Sequence, residues 1–368
     1  MVTYLLRTAT RLVALSLLLS GCGGGGGGGD GRGGGDAIVP QVDDDTDPPS
    51  ANVDTSDVVF DPGRVLQIGI TMDPDDYEVV RREGRSWPQV WAGCWAGYEY
   101  SHFVATVTID GNVFENVDIR KKGFLGSLSA GRPAIKLNLD THEPGRRYES
   151  LQRFTLNNDR QDPSHTHQCI TYQMFRDAGL PAPRCHFARV RLNGQDLGIY
   201  SSVESVKRHF LRRNFGNDDG NLYEAQVADF GDNTKENFQL KLEHLVPDRS
   251  DLDGVVDALK ANDATLPDLL GQVLDIDQFI DFWAMETMMG HWDGAAGNAN
   301  NFLIYHDPDS NLFHHIPWGT DGAMRLSHPF RPDGIPLYRY SLIPTRLYDI
   351  AQYREQYHAR LLQFLDTI

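Results

Sequence analysis

The sequence predicts an α+β fold in which antiparallel β-hairpins come first and helices dominate the second half. Three observations carry this expectation. Between residues 65 and 203 several runs alternate apolar with polar side chains, the period of a half-buried strand. Gly111 and the pair Asn193-Gly194 stand between such runs, where a hairpin needs its turn. Three helical stretches follow at close spacing, near 251–262, 265–273 and 276–290.

Taken in order, Val65–Ile70 reads as a strand, and Pro74–Arg82 as a short helix opened by Asp73 as N-cap. His102–Ile109 and Val113–Arg120 form a hairpin around Gly111. A basic, glycine-containing loop, Lys121 to Ser127, leads to a strand over Ala134–Leu139, and Arg153–Leu156 is a further strand running into Asn157-Asn158-Asp159. Ser164 is the expected N-cap of a helix stopped by Gly179-Leu180-Pro181-Ala182-Pro183. His186–Leu192 and Leu197–Val203 flank Asn193-Gly194, a pair suited to a type I′ turn. A basic helix, Val206–Phe215, a strand at Leu222–Tyr223 and a polar segment come before the three helices. Strands at 302–305 and 312–316 follow, and 344–368 reads helical.

The N-terminus predicts export. Arg7 and Arg11 flank an apolar run, Leu12 to Leu19, too short to cross a bilayer as a mature helix. The run ends Leu19-Ser20-Gly21-Cys22, which resembles the lipobox of bacterial lipoproteins. The expectation is a signal over 1–21, a lipid anchor on Cys22, a Gly- and Asp-rich flexible tether over 22–60, and one domain over 61–368, β-rich to about 225 and helical after it. Such a protein would sit on the outer membrane or cell surface. The net charge of −17 argues against nucleic acid as a partner, although a local cationic cluster can still hold a nucleotide. Cys94, Cys169 and Cys185 show no Cys-x-x-Cys spacing for zinc, and Cys169 with Cys185 is a possible disulfide in an exported domain. The tryptophan-rich stretch Trp87–Trp95 has no clear period.

The chemistry-bearing residues cluster late. His291-Trp292-Asp293 is followed by a Gly/Asn loop containing Asn298 and Asn301, then by an apolar strand, and Ile316-Pro317-Trp318 brings a second acid, Asp321. Phosphoryl transfer uses such parts: one Asp orients the attacking hydroxyl, while an amide and another Asp hold a divalent metal. Upstream, Arg120, Lys122 and Lys136 lie on or beside adjacent strands, with Gly123 and Gly126 between them to let backbone approach an anion. Alternation places Lys136 on the face opposite Ile135 and Leu137. Glu204, ending a strand, is a candidate partner for Lys136.

The order of these motifs resembles the CotH family, the spore-coat-protein-H-like secreted atypical kinases. The correspondence spans roughly 65–330: Arg120-Lys121-Lys122-Gly123 with Ser127, Lys136-Leu137-Asn138, Leu156-Asn157-Asn158 with Asp162 and Ser164, Gly179 to Pro183, Asn193-Gly194 with Gly198, Tyr200 and Glu204, Asn221-Leu222-Tyr223, Asp293, Asn301 to Tyr305, and Ile316-Pro317-Trp318 with Asp321. The resemblance implies a divergent protein-kinase-like fold that uses ATP with Mg2+ or Mn2+ and phosphorylates a protein substrate. It would make Lys136 a phosphate ligand with Arg120, Lys122, Gly123 and Ser127 nearby, Glu204 its acidic partner, Asp293 the catalytic aspartate, and Asp321 the metal aspartate. Asn301, at the strand start, is preferred over Asn298 as the metal amide. Two positions depart from the pattern: Gly319 stands where the family commonly has Asp, and His165 and His167 occupy a region where an Arg is often found. The alternative is a catalytically inactive surface module binding protein or glycan.

Overall fold

The structure, a computed structural model, describes residues 54–86, 98–244, 246, 248–325, 329 and 338–368. The expected export signal, Cys22, Cys94 and the tryptophan-rich stretch lie outside them.

Seven strands close into a barrel in the order β1-β2-β3-β4-β5-β7-β6. They are β1 (Leu66–Thr71), β2 (His102–Ile109), β3 (Asn112–Lys121), β4 (Ile135–Asn138), β5 (Arg153–Asn157), β6 (Cys185–Leu192) and β7 (Gln195–Val203). Neighbours pair antiparallel except β1 with β6, whose parallel register (Ile68 opposite Val190) closes the ring. The β6–β7 turn takes the left-handed backbone that Asn-Gly permits, with φ 48° at Asn193 and 80° at Gly194. Its Asn193 Oδ1 accepts the Met72 amide at 2.9 Å, tying the turn to the end of β1. Ile68, Val107, Ile119, Leu137, Leu156 and Val190 fill the interior.

Helix α1 (Pro74–Arg82) starts where expected, with the Asp73 carboxylate accepting the Asp75 and Asp76 amides. Lys121 points away from its basic neighbours and donates to the Arg81 and Glu83 carbonyls at the end of α1. Helix α2 (His167–Asp177) differs from expectation at its start. Thr166, not Ser164, takes the N-cap position without a side-chain cap bond, and the Asp162 carboxylate folds over the helix start, accepting the His167 amide at 2.7 Å and the Ser164 hydroxyl at 2.5 Å. A disulfide joins Cys169 on α2 to Cys185 on β6, the pairing that packing of helix against strand allowed. Closing a loop of 16 residues stabilises the fold by about 3 kcal/mol.

After α3 (Arg208–Phe215) the chain builds a second sheet, ordered β11-β10-β8-β9, from β8 (Asn221–Ala225), β9 (Phe238–Leu242), β10 (Phe302–Asp307) and β11 (Leu312–Pro317). The second half is therefore sheet plus helices, not helices alone. Strand β9 falls in the segment read above as polar. Its Phe238 and Leu242 are buried, and it hydrogen-bonds along β8. The helices are α4 (Asp253–Lys260), α5 (Leu266–Leu270), α6 (Ile276–Met288), the single turn α7 (Ala295–Asn298), α8 (Leu342–Asp349) and α9 (Ala351–Thr367). Helix α6 sits at the centre of their core, with Trp283 stacked on Tyr357 at 3.9 Å between ring centroids. No helix among the described residues is long and apolar enough to cross a membrane.

The folded part begins upstream of residue 61. Val59 is buried in the barrel core, and Arg184 binds the Ser56 hydroxyl at 2.8 Å and the Asp57 carboxylate at 2.5 Å. A tether ending at 60 is thus too long at its C-terminal end.

Candidate active site

Alternation along β3 and β4 sets the first wall. Ile119, Lys121, Ile135 and Leu137 point one way, so Arg120, Lys122 and Lys136 share the other face, with Arg120 directly opposite Lys136 in register. That outer face of the barrel looks onto the second sheet. There β8 and β9 present Glu224, ion-paired to Lys241 at 2.7 Å. Lys136 senses the charges of Arg120, Glu224, Lys122 and Lys241, and makes no ion pair of its own among the described residues. Burial, with three cations close by, holds its amine well below the usual lysine range. Burial pushes Lys122 down to about 8 against the opposing pull of Asp321 and Glu224. The Lys122 amine donates to Asn157 Oδ1 and lies 5.5 Å over the Trp318 ring.

Glu204 is not the partner of Lys136. At the end of β7 its carboxylate takes Arg184 at 2.7 Å and Arg213 at 2.5 Å, close to His209. Burial alone would raise its pKa, but the His209 hydrogen bond and the two arginines bring it to about 2. These contacts are spent on fixing residues 54–57 and α3. The acid facing Lys136 is Glu224, on β8 one residue past the Asn221-Leu222-Tyr223 motif, and the second sheet brings it to the barrel.

The second wall is the loop after α6. Gly290, at φ 57°, turns the chain sharply, and His291 behind it is fully buried. Asp293 then accepts three amides, from Asn298 at 2.7 Å, Asn300 at 3.2 Å and Asn301 at 2.7 Å. Burial raises its carboxyl to about 6, and the charge of nearby Asp321 adds to the rise. Asp321 sits in a 3-10 turn after β11, is raised by burial, and is countered chiefly by Lys122. Gln161 reaches it with an amide at 3.4 Å.

The glycine loop closes one side. A Cβ at Gly126 would stand 2.7 Å from the Gln161 amide nitrogen, and one at Gly123 (φ 112°) 2.1 Å from the Ser127 hydroxyl. Ser127 bends back onto the Phe124 carbonyl at 3.2 Å, and its own carbonyl accepts Asn158 at 2.8 Å. Asp159, raised to about 6 by burial, lies within reach of the Asp321 charge. His165 Nδ1 lies 3.3 Å from Asp159 and His167 Nε2 3.5 Å from Asp162, so both histidine side chains pair with acids of the same loop.

The structure thus couples Lys122, Asp321 and Asp293 through their charges, sets Arg120 and Lys136 beside Lys122, holds Asn298 and Asn301 on Asp293 and packs Gly123 against Ser127, while Glu204 lies apart on Arg184 and Arg213. Lys241 and Gln161 carried no sequence signal, since each acts through a neighbour distant along the chain. The unusual residue at 319 also has a geometric account. Gly319 has φ 55°, and a Cβ there would stand 2.7 Å from Asn301 Oδ1. An aspartate at 319 would crowd the amide that holds Asp293.

A protein-family model described as CotH kinase protein matches residues 119–368. Inner spore coat protein H of Bacillus subtilis (strain 168) is 23% identical over 235 residues, covering 60% of this chain and 64% of that protein. Spore coat protein homolog 1 of Rhizopus delemar is 22% identical over 225 residues, covering 51% of this chain and 36% of that protein. The chain therefore spans less than two thirds of the length of either relative. The crystal structure of a Helicobacter pylori proinflammatory kinase, CtkA, aligns at 12% identity with a TM-score of 0.28, covering 65% of each chain.

Proposed function

This chain belongs to the CotH kinase protein family, and from that premise we propose that it transfers the γ-phosphoryl group of ATP to a protein hydroxyl on a divergent kinase-like fold. The observation that carries this is a chain of charge contacts: Lys122 with Asp321, and Asp321 with Asp293, with Lys136 beside Lys122. Lys136 and Lys122 take the phosphate oxygens, with Arg120 behind them. Asp293, held by its three asparagines, orients the acceptor hydroxyl. The hydroxyl oxygen bonds to the γ-phosphorus, the bond to the β,γ-bridging oxygen breaks, ADP leaves, and the proton passes to Asp293.

The donors fit Mg2+ or Mn2+. Asp321 offers a carboxylate, and Asn301, whose Nδ2 is engaged by Asp293, keeps its Oδ1 for a hard cation, as does Asn298. Such an ion neutralises the charge that develops on the phosphate oxygens. The Asn301 oxygen lies toward Gly319, two residues from Asp321, which supports Asn301 as the main amide ligand.

Labelled phosphate from MgATP or MnATP should appear on the chain itself or on a serine- and threonine-rich acceptor. Absence of transfer with both metals would favour the second reading, a silent binding module, to which the missing acid at 319 points. The pH profile should be bell-shaped. Asp293 works ionised and has its value raised to about 6, so kcat/KM should fall below that pH; Lys122 works charged and is lowered to about 8, so it should fall again above that. A flat profile between pH 5 and 9 would contradict these roles. For stability the sign is opposite at Asp293. Between its ordinary 3.8 and about 6 the folded state holds the extra proton, so stability declines as pH rises through that window.

We also propose that the domain is exported and held at a surface by a lipid on Cys22. The spore-coat names of the relatives support a surface location. In a bacterial host Cys22→Ser should abolish incorporation of labelled fatty acid, and undiminished labelling would refute the anchor.

A further inference from the structure

We propose that Glu286 is the positioning residue that sets the geometry of Asp293, an inference that rests on the phosphotransfer reading above. Glu286 lies on α6 in the apolar core beside Phe282, Trp283 and Met285, and its side chain is 0% exposed. A buried carboxyl is costly unless its oxygens are used. Here both are used, and by one short segment. Oε1 accepts the Ala295 amide and Oε2 the Ala296 amide, each at 2.8 Å. The backbone carbonyl of the same residue accepts the His291 amide at 2.9 Å. One residue therefore grips both ends of the loop 291–296, with Asp293 between the grips.

The consequence runs further along the chain. Ala295 and Ala296 open α7, which delivers Asn298, Asn300 and Asn301 to the Asp293 carboxylate. Gly294 is part of the same device: a Cβ there would stand 2.0 Å from Glu286 Oε1, so the carboxylate can reach the amides only past a bare backbone. Burial raises the Glu286 carboxyl, and the Ala296 and Ala295 amides pull it back, so the two hydrogen bonds oppose protonation of the group they hold. A purely space-filling role would not need two acceptor oxygens aimed at two successive amides. Glutamine has the same shape but one acceptor, and its NH2 would oppose the second amide.

The test uses full-length protein with MgATP, comparing wild type, Glu286→Gln and Gly294→Ala. Displacing the loop by about an ångström should lower kcat roughly 100-fold and raise the Mg2+ concentration needed, since the loop carries Asn298 and Asn301, while at saturating Mg2+ KM for ATP and the ATP-induced rise in melting temperature change little, because Lys122 and Lys136 stand on the barrel. Gly294→Ala should reproduce the split without altering the carboxylate chemically. Wild-type kcat in Glu286→Gln would overturn the inference while leaving the phosphotransfer reading intact. Equal loss of kcat and ATP binding, or loss of folding in both variants, would overturn it too, leaving Glu286 a core residue only. An inactive wild type would remove the phosphotransfer reading and this inference with it.

Discussion

Replacing Asp293 by asparagine is expected to slow phosphoryl transfer by about 10²- to 10⁴-fold, the usual contribution of a positioned acid–base group, while ATP still stabilises the fold. The argument is local. Asp293 is nearly isosteric with Asn, so the backbone of the loop is not forced to move. What changes is the acceptor: three asparagine amides now converge on an oxygen and an NH2 instead of two carboxylate oxygens, and no group remains to take the hydroxyl proton. The nucleotide ligands lie across the cleft on β3 and β4, so KM for ATP should change far less than kcat. A single-turnover assay separates the two. Transfer within threefold of wild type would show that Asp293 is a loop-forming residue and nothing more.

Asp321→Ala should lose transfer by a hundredfold or more, with a different signature, because the loss falls on charge held at the phosphates. The carboxylate is the acid of the metal set and also the largest negative influence on Lys122. Its removal should abolish the dependence of ATP binding on Mg2+ or Mn2+. It should also lower the Lys122 pKa below about 8, since the Asp321 charge raises it, moving the alkaline limb of kcat/KM toward neutrality. A variant that keeps its metal-dependent binding and its alkaline limb would show that Asp321 faces the cleft without serving it.

The sequence made much of the local structure legible because those signals are local. Asp73 before a proline-led amphipathic segment, and Asn193-Gly194 between alternating runs, each fix backbone through a neighbour or two. The face of Lys136 opposite Ile135 and Leu137 followed from a period of two, whereas the Cys169–Cys185 pair was open in the sequence, conditional on a helix packing against a strand, and the fold supplies that packing. Readings that needed tertiary structure fared worse. Ser164 looked like a cap, yet Asp162 folds over the helix start and takes the amide. Phe238-Gln239-Leu240-Lys241-Leu242 alternates as a strand should, but short runs amid polar residues are ambiguous until a partner strand is known.

The exchange of Glu204 for Glu224 has the same origin. Both are single acids at strand ends. What separates them is the company each keeps: two arginines and a histidine for Glu204, and the lysine face of the barrel for Glu224. Burial alone would raise the Glu224 carboxyl, but Lys241, Lys136 and Lys122 together bring it to about 2. Glu286 was invisible for another reason. Within an apolar helix it reads as one polar residue, and its use depends on amides nine and ten positions later.

The most direct measurement is a thermal-shift titration of the wild-type chain and of Lys136→Ala with ATP in the presence and absence of Mg2+ or Mn2+. A ligand present at a hundred times its Kd stabilises by about 2.7 kcal/mol, which is a shift of several degrees or less in a domain of this size but readily measured. The expected result is a saturable, metal-dependent rise in melting temperature for wild type that is lost in Lys136→Ala. No rise at millimolar ATP with either metal, or an equal rise in both proteins, would contradict a nucleotide cleft built on the outer face of the barrel.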